Sequence, residues 1–224
     1  MPPDSTSHTA TPLQRVLQLG IVAVIRSART EALADVAEAL LAGGVDVLEI
    51  TFTVPRPLRV LEQVADRIAG RALLGAGTIL DAESARAAIL AGAEFIVSPN
   101  TDPRVIEVCK RYGKLVIPGA LTPTEIVTAW QAGADIVKVF PADVSGPKLL
   151  KAIHGTLPQV RLMPTGGVNL NTAADYLRAG ACALGLGTSL VEATAVEQGD
   201  SQRIEDLSRQ YIKIVRETRQ EMQG

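Results

Sequence analysis

A single lysine interrupts an apolar run in the segment Gly133-Ala-Asp-Ile-Val-Lys-Val-Phe-Pro-Ala142. The run is short enough to be one buried strand, and alternation along a strand places Lys138 on the same face as Ile136 and Phe140. An isolated ammonium group is costly to bury, so Lys138 must point into a core or into a pocket. In a core, its stem packs and its charged end reaches water or a carboxylate. In a pocket, its amine is a candidate nucleophile.

A carboxylate occupies a similar place in a second apolar run, Val47-Leu-Glu-Ile-Thr51. Glu49 is either the structural counter-ion of Lys138 or Arg26, or a general acid/base whose proton affinity is set by an enclosed site. A buried lysine with a carboxylate and a cationic arginine nearby favours amine chemistry, in which the free amine attacks a ketone. The product of that attack is a Schiff base.

Two glycine-rich stretches complete the candidate chemistry: Pro164-Thr-Gly-Gly-Val168 and Gly185-Leu-Gly-Thr-Ser189. Bare backbone N–H groups and a short helix N-terminus can hold a phosphate dianion. One Gly-Gly pair would be weak evidence, because tight turns also need glycine. Two such stretches at the ends of neighbouring strands predict a phosphate site.

The elements that must position these residues are eight short apolar strands alternating with helices. The expected strands lie near 21–26, 47–53, 73–78, 95–100, 115–120, 136–142, 161–167 and 183–187. An Ala-Gly phrase precedes every second strand, at Gly43, Gly92, Gly133 and Gly180, and fits a helix C-cap. The pattern predicts a single-domain α/β protein, a (β/α)₈ TIM barrel over residues 12–224.

Several details of this fold are also predicted. A short helix from about Pro12 to Leu19 should cover the barrel floor, preceded by a disordered tail over residues 1–11. Thr122 and Glu125 read as a capping box, and Asp102 as the cap of the preceding helix. In such barrels the chemistry lies at the C-terminal ends of the strands. There the polar residues Arg26, Glu49, Thr78, Lys138 and Thr165 should converge on one pocket.

Composition limits the function classes. The chain has 224 residues, a formal charge of −2 and no basic run, which argues against nucleic acid or an anionic membrane as partner. No apolar run approaches the roughly 20 residues that span a bilayer. Cys109 and Cys182 are isolated, and no His/Cys cluster has metal-ligand spacing. We therefore expect a cytoplasmic protein with reduced thiols, a small-molecule ligand and no bound metal.

Six motifs in unbroken order resemble one known family. They are Glu49-Ile-Thr-Phe-Thr-Val-Pro55, Gly75-Ala-Gly-Thr78, Phe95-Ile-Val-Ser-Pro99, Pro118-Gly119, Lys138-Val-Phe-Pro141 and Pro164-Thr-Gly-Gly167. From about Val22 to Val191 the chain resembles the 2-keto-3-deoxy-6-phosphogluconate (KDPG) aldolases, also called 4-hydroxy-2-oxoglutarate (KHG) aldolases. The resemblance implies a homotrimeric class I aldolase that uses no metal or other cofactor.

The resemblance also implies a role for each matching residue. It makes Lys138 the Schiff-base lysine and Glu49 the carboxylate that transfers protons. The other matches are Thr78 on the pyruvate side, Phe140 and Pro118 as pocket walls, and Gly166, Gly167, Gly187 and Thr188 at the phosphate. The implied substrates are KDPG, cleaved to pyruvate and glyceraldehyde 3-phosphate, and 4-hydroxy-2-oxoglutarate, cleaved to pyruvate and glyoxylate.

One departure from the family concerns the substrate carboxylate. Many members carry an arginine where Thr53 stands here, so we assign that carboxylate to Arg26, as in other branches of the family. Thr165 matches a threonine of the gluconate-type enzymes, where galactonate-type enzymes tend to have valine, which favours the gluconate substrate. The alternatives are a galactonate-type aldolase, a barrel isomerase or synthase, and a catalytically silent phosphate-binding barrel or scaffold.

Overall fold

Parallel strands built from the short apolar runs form the frame of the protein in the computed structural model, which describes residues 10–224. The strands are β1 (Ile21–Ile25), β2 (Val47–Thr51), β3 (Leu73–Gly77), β4 (Phe95–Val97), β5 (Leu115–Ile117), β6 (Gly119–Ala120), β7 (Val137–Val139), β8 (Leu162–Pro164) and β9 (Leu184–Leu186). Every predicted strand is present, but the fifth is divided into β5 and β6 at Pro118. Proline has no N–H to give to a ladder, which accounts for the break.

Hydrogen bonding divides the strands into two parallel sheets. One has the order β5-β4-β3-β2-β1-β9 and the other the order β6-β7-β8. Two isolated parallel bridges, Leu162 with Ala181 and Thr165 with Gly185, join the second sheet to the β9 side of the first. The predicted parallel α/β class is confirmed. Closure into one continuous eight-stranded barrel stays a prediction, because the ladder is interrupted at Pro118 and reduced to single bridges beside β9.

Helices follow nearly every strand. They are α1 (Pro12–Leu19), α2 (Leu33–Ala42), α3 (Pro57–Ile68), α4 (Ala82–Leu90), α5 (Pro103–Arg111), α6 (Pro123–Gln131), α7 (Gly146–Thr156), α8 (Ala173–Arg178), α9 (Ala193–Gln198) and α10 (Ser201–Glu221). Both predicted caps are confirmed. Thr122 and Glu125 form a capping box at α6, and the Asp102 side chain accepts from the Arg104 N–H at α5.

The repeated Ala-Gly phrase does end helices: Gly43 is the C-cap of α2, and in the other three repeats the alanine is the C-cap and the glycine follows it. Gly92, Gly133 and Gly180 have φ between 102 and 104°, the left-handed conformation that glycine adopts most easily. In the first repeat the left-handed residue is Gly44, with φ 91°, whereas Gly43 has φ −79°. Gly43 serves close packing instead, because a Cβ there would lie 2.4 Å from the Cβ of Ser208 on α10.

The apolar floor beneath the candidate site is a separate cluster of inward-facing strand residues. Its strand members are Val22, Val47, Leu73, Phe95, Val97, Leu115, Ile117, Ile136, Met163 and Ala183. Val16 of α1 is fully buried in the same cluster, so the predicted floor helix lies where expected. Thr11 caps this helix in a box with Gln14, so Thr11 belongs to the fold. Residues 1–9 of the predicted tail lie outside the described residues.

A second, larger cluster packs the outer strand faces against the helices. The closing helix α10 contributes Ile204, Leu207, Tyr211 and Val215 to it, with Ile214 half-buried beside them. Cys109 and Cys182 are free, and burial raises the pKa of each thiol to about 12. Over residues 10–224, no helix is both long enough and apolar enough to cross a membrane. The cytoplasmic location stays a prediction.

Candidate active site

A cavity of about 550 Å³ opens above the apolar floor, at the C-terminal ends of the strands. The polar side chains of its wall lie on the same inward faces, two residues further along the chain than the floor residues. For example, Ile136, just before β7, is part of the floor and Lys138 of β7 lines the cavity; Met163 of β8 and Thr165, just after β8, follow the same order. Alternation along each strand therefore aims these side chains into one space.

Lys138 lies at the centre of β7 and is only 6% exposed. Its N–H donates to the Pro118 carbonyl at 2.8 Å, and its Cα pairs in register with Gly119 on one side and Met163 on the other. The Nζ atom lies 5.0 Å from the ring centroid of Phe140, two residues along the same face. The amine thus stands beside an aromatic wall inside the cavity, held by a strand with neighbours on both sides.

Glu49 is 1% exposed, in β2 between β1 and β3. Neither carboxyl oxygen has a hydrogen-bond partner among residues 10–224. Burial raises the pKa of Glu49, because the charged form loses its water, and the positive charges of Lys138 and Arg26 offset only part of this. Burial therefore makes Glu49 easier to protonate than a carboxyl group in water, and a group of this kind is suited to donating and accepting protons.

Glu49 and Lys138 line the same cavity without touching. No nitrogen of Lys138 comes within the 4.0 Å that defines an ion pair with a Glu49 oxygen. A purely structural counter-ion of Lys138 would be expected in direct contact, since that contact compensates the cost of burying both charges. The two groups are therefore not held together as an ion pair within the described part of the chain.

Arg26 follows the last residue of β1 and lines the cavity with its side chain exposed. It takes part in none of the ion pairs found within residues 10–224. Arg26 is therefore a cation without an ion-pair partner in the described residues, available to an anionic ligand.

Thr51 also lines the cavity. Its hydroxyl donates to the Ile25 carbonyl at 3.3 Å and lies 2.9 Å from the Thr53 hydroxyl.

Thr78 lines the cavity directly after β3, with φ 60°. This left-handed conformation is uncommon for any residue with a side chain and is unfavourable for a β-branched one. Strained residues of this kind cluster at functional sites, where the surrounding structure holds them in place.

The two glycine-rich stretches form one end of the cavity. Gly166 and Gly167 have φ 90° and 73°, and a Cβ on Gly167 would lie 2.3 Å from the Cβ of Asp143. Within the described residues, the backbone N–H groups of Gly167, Thr188 and Ser189 donate to no backbone carbonyl. Free N–H groups from two adjacent loops are a suitable receptor for a phosphoryl group.

Thr165 is 7% exposed, and its hydroxyl has no partner among residues 10–224. It fits against the bare backbone of Gly185, where a Cβ would lie 2.1 Å from the Thr165 Oγ1. Thr165 thus lines the cavity with a hydroxyl group that has no hydrogen bond within the described residues.

The structure brings nearly all of the predicted site residues to this cavity. Its lining includes Arg26, Glu49, Thr78, Lys138, Phe140, Thr165, Gly166, Gly167, Gly187 and Thr188. Pro118 is the exception: it is buried and contributes a carbonyl to the Lys138 N–H without lining the cavity. Thr53, where many members of the resembled family have arginine, does not line it either. The lining also includes Thr51 and Asn169, whose signals were a shared face with Glu49 and a place in the loop after β8.

Comparisons with known proteins agree with this geometry. The family model for KDPG and KHG aldolases matches residues 13–207. A 2-dehydro-3-deoxy-phosphogluconate aldolase of Treponema pallidum (strain Nichols) is 36% identical over 199 residues, covering 87% of this chain and 93% of that protein. A 2-dehydro-3-deoxy-6-phosphogalactonate aldolase of Escherichia coli (strain K12) is 33% identical over 213 residues, covering 94% of this chain and 100% of that protein.

A solved structure shares the fold closely. The KDPG aldolase from Legionella pneumophila, crystallised with pyruvate captured at low pH as a covalent carbinolamine intermediate, superposes with a TM-score of 0.83 at 30% identity. The match covers 89% of this chain and 97% of that one.

Proposed function

The chain belongs to the family of KDPG and KHG aldolases and is a lyase, and from that premise we propose that it cleaves KDPG by Schiff-base chemistry at Lys138. The observation that carries the proposal is the buried Lys138 amine, which shares a cavity with an unpaired, buried Glu49. The carbinolamine formed by pyruvate in the Legionella aldolase supports the same chemistry here.

In the proposed reaction, the uncharged Lys138 amine adds to the C2 ketone, one proton is taken up from the solvent and water leaves, giving a protonated imine. Glu49 in its ionised form, directly or through a water, takes the proton of the C4 hydroxyl as the C3–C4 bond breaks. The bonding electrons pass into the imine, which becomes an enamine, and glyceraldehyde 3-phosphate departs. Glu49 returns the proton to the enamine methylene carbon, and hydrolysis of the imine frees pyruvate and the amine.

The two ends of the cavity match the two ends of the substrate. Arg26 lines the same cavity as Lys138 and has no ion-pair partner within residues 10–224, and we assign the pyruvate carboxylate to it, with Thr78 beside it in the lining. The N–H groups of the 166–167 and 188–189 loops receive the phosphate. Holding both ends fixes the reacting carbons over Lys138, so binding energy from the remote phosphate contributes to the chemical step.

The preferred epimer is the gluconate form, because Thr165 offers an unpartnered hydroxyl where galactonate-type enzymes tend to have valine. The galactonate form is the second candidate, supported by the 33% identity to the Escherichia coli 6-phosphogalactonate aldolase. Cleavage of unphosphorylated 4-hydroxy-2-oxoglutarate to pyruvate and glyoxylate uses the same lysine without the phosphate contacts. Assays with both epimers and with 4-hydroxy-2-oxoglutarate rank the three substrates.

Three further properties belong to this proposal. The protonated imine on Lys138 serves as the electron sink, so the reaction needs no metal or other cofactor. The strands form one closed eight-stranded barrel, bridged at Thr165 and Gly185. The assembly is a homotrimer, for which exposed apolar side chains such as Leu80, Leu90 and Val144 offer contact surface.

The test is borohydride reduction in the presence of pyruvate, followed by peptide mass spectrometry. The wild type should gain one stable pyruvate-derived adduct, on Lys138. Lys138→Ala should gain none and lose aldol cleavage, with its circular dichroism spectrum unchanged. Lys110→Ala, at a lysine outside the cavity that pairs with Asp135 on the surface, is the matched control and should behave as the wild type. Reduction that labels no lysine, or substantial cleavage by Lys138→Ala, would refute the mechanism and favour an isomerase, a synthase or a silent binding barrel.

A further inference from the structure

Gly77, the last residue of β3, lies against the carboxyl group of Glu49. A Cβ built on Gly77 would lie 1.7 Å from Oε1 of Glu49, 2.4 Å from Cδ and 2.7 Å from Cγ. These are the three nearest atoms to that position, and all belong to one side chain. The end of the Glu49 side chain therefore occupies the space in which any other residue at position 77 would place its own.

The backbone gives no separate reason for glycine at this position. Gly77 is not among the glycines with left-handed φ, although Thr78, the next residue, is in that conformation. Its neighbours pair in a regular ladder, with Thr51 opposite it, and its carbonyl accepts from the Phe52 N–H at 2.7 Å. Glycine weakens a strand interior and usually marks a close approach by another group. Here the approaching group is the Glu49 carboxyl.

We propose that Gly77 is a positioning residue for the reaction, because it reserves the space that keeps the Glu49 carboxyl against β3 and away from Lys138. The inference rests on the proposed function for its catalytic meaning. A methyl group at position 77 must push the carboxyl into the cavity, toward the amine or the substrate. Proton transfer then fails although the lysine and the phosphate loops are unchanged.

The space beside Gly77 also determines what the carboxyl can contact. Glycine brings no side-chain donor, and neither Glu49 oxygen has a partner within the described residues. The hydrogen-bonding capacity of the carboxyl is thus not used by any group within residues 10–224. A larger polar residue at position 77 would use that capacity even if it could be accommodated.

Gly77→Ala tests the proposal against a matched control, Gly75→Ala. Gly75 lies two residues earlier on the same strand face, and its added Cβ would meet the Phe95 ring at 2.5 Å, with no Glu49 atom among its nearest neighbours. Both variants add one methyl group to β3 at a tight contact. Only Gly77→Ala displaces the carboxyl.

Two assays distinguish the chemistry of Lys138 from that of Glu49. Borohydride trapping with pyruvate reports imine formation, and loss of the pyruvate methyl signal in D₂O, followed by proton NMR, reports proton transfer at carbon. Gly77→Ala should keep trapping and lose exchange by about 100-fold or more, the lower range for general acid/base catalysis. Gly75→Ala should keep both per folded molecule. Equal losses of trapping and exchange in Gly77→Ala, or exchange within a few-fold of wild type, would overturn the proposal.

A stability measurement tests the contact between Gly77 and Glu49 even if the protein does not catalyse the proposed reaction. Gly77→Ala should lower the urea midpoint of unfolding in the wild-type background and lower it far less in a Glu49→Ala background, because the colliding group is gone. An unchanged loss in the Glu49→Ala background would refute the contact. If the wild type forms no pyruvate adduct, the proposed function fails, while this comparison still judges the positioning by Gly77.

Discussion

Replacing Thr78 with glycine should relieve backbone strain at the mouth of the cavity, whereas replacing it with alanine should not. Thr78 has φ 60°, a conformation that costs an L-residue about 1–2 kcal/mol and that glycine adopts freely. Both variants remove the same hydroxyl from the cavity wall. The pair therefore separates the cost of the backbone conformation from the use of the side chain.

The expected difference follows from two opposing contributions. Glycine avoids the steric cost but loses about 0.5–1 kcal/mol through the greater freedom of the unfolded chain. We expect Thr78→Gly to be more stable than Thr78→Ala by about 0.5–1 kcal/mol. For a chain of this size that difference corresponds to roughly 1–4 °C in Tm.

Urea unfolding and steady-state kinetics on the two variants check this reasoning. A neutral hydrogen bond is worth about 0.5–1.5 kcal/mol, so both should lose roughly 2–10-fold in kcat/KM if the Thr78 hydroxyl contacts the substrate. Thr78→Ser, which keeps a hydroxyl, should recover most of that loss. A Thr78→Ala protein at least as stable as Thr78→Gly would show that the left-handed conformation carries no cost here, and the argument from strain would be wrong.

Two further predictions concern stability. Burial raises the pKa of Glu49 above its ordinary 4.5, so the wild type loses stability as the pH rises from the unfolded pKa through the folded one. Glu49→Gln does not titrate, and its stability relative to the wild type in urea unfolding should grow as the pH rises above 4.5. An advantage that stayed constant or shrank would contradict the raised pKa. Ala69 ends α3 in an exposed left-handed position, φ 46°, so Ala69→Gly should stabilise the protein by about 0.5–1 kcal/mol. Ala132→Gly, at a helix end with φ −71°, should destabilise it slightly, and thermal unfolding that reversed this order would count against the reasoning.

Much of the fold could be predicted because each element carries a local signal. The apolar runs, the Thr122–Glu125 capping box and the proline-led helix starts are all readable within a few residues. The division of the fifth strand was missed because the run from Leu115 to Ala120 looks continuous, and only the missing N–H of Pro118 breaks its ladder. Gly43 was correctly placed at the end of a helix, but its packing against Ser208, far along the chain, has no local sign in the sequence.

The site could be predicted as far as alternation along the strands reaches. Alternation placed Glu49, Lys138 and Thr165 on the inward faces of their strands, which was enough to predict that they share one pocket. Alternation along a strand shows which face a side chain lies on but not how far apart two side chains are, so the absence of an ion pair between Glu49 and Lys138 could not be predicted. The role proposed for Gly77 could not be predicted either. Its contact with Glu49 joins residues on neighbouring strands and depends on the register of the two strands.

The end of the cavity that we propose to hold the phosphate presents peptide N–H groups of the 166–167 and 188–189 loops, and neither loop contributes a lysine or arginine side chain to the lining. Recognition of this kind is encoded in the route of the main chain, so no single charge reversal can switch it off. Added salt should weaken phosphoryl binding less than it would weaken a site built on ion pairs. Side chains elsewhere in the cavity can then be replaced to fit other keto acids without changing the backbone groups that are proposed to bind the phosphate.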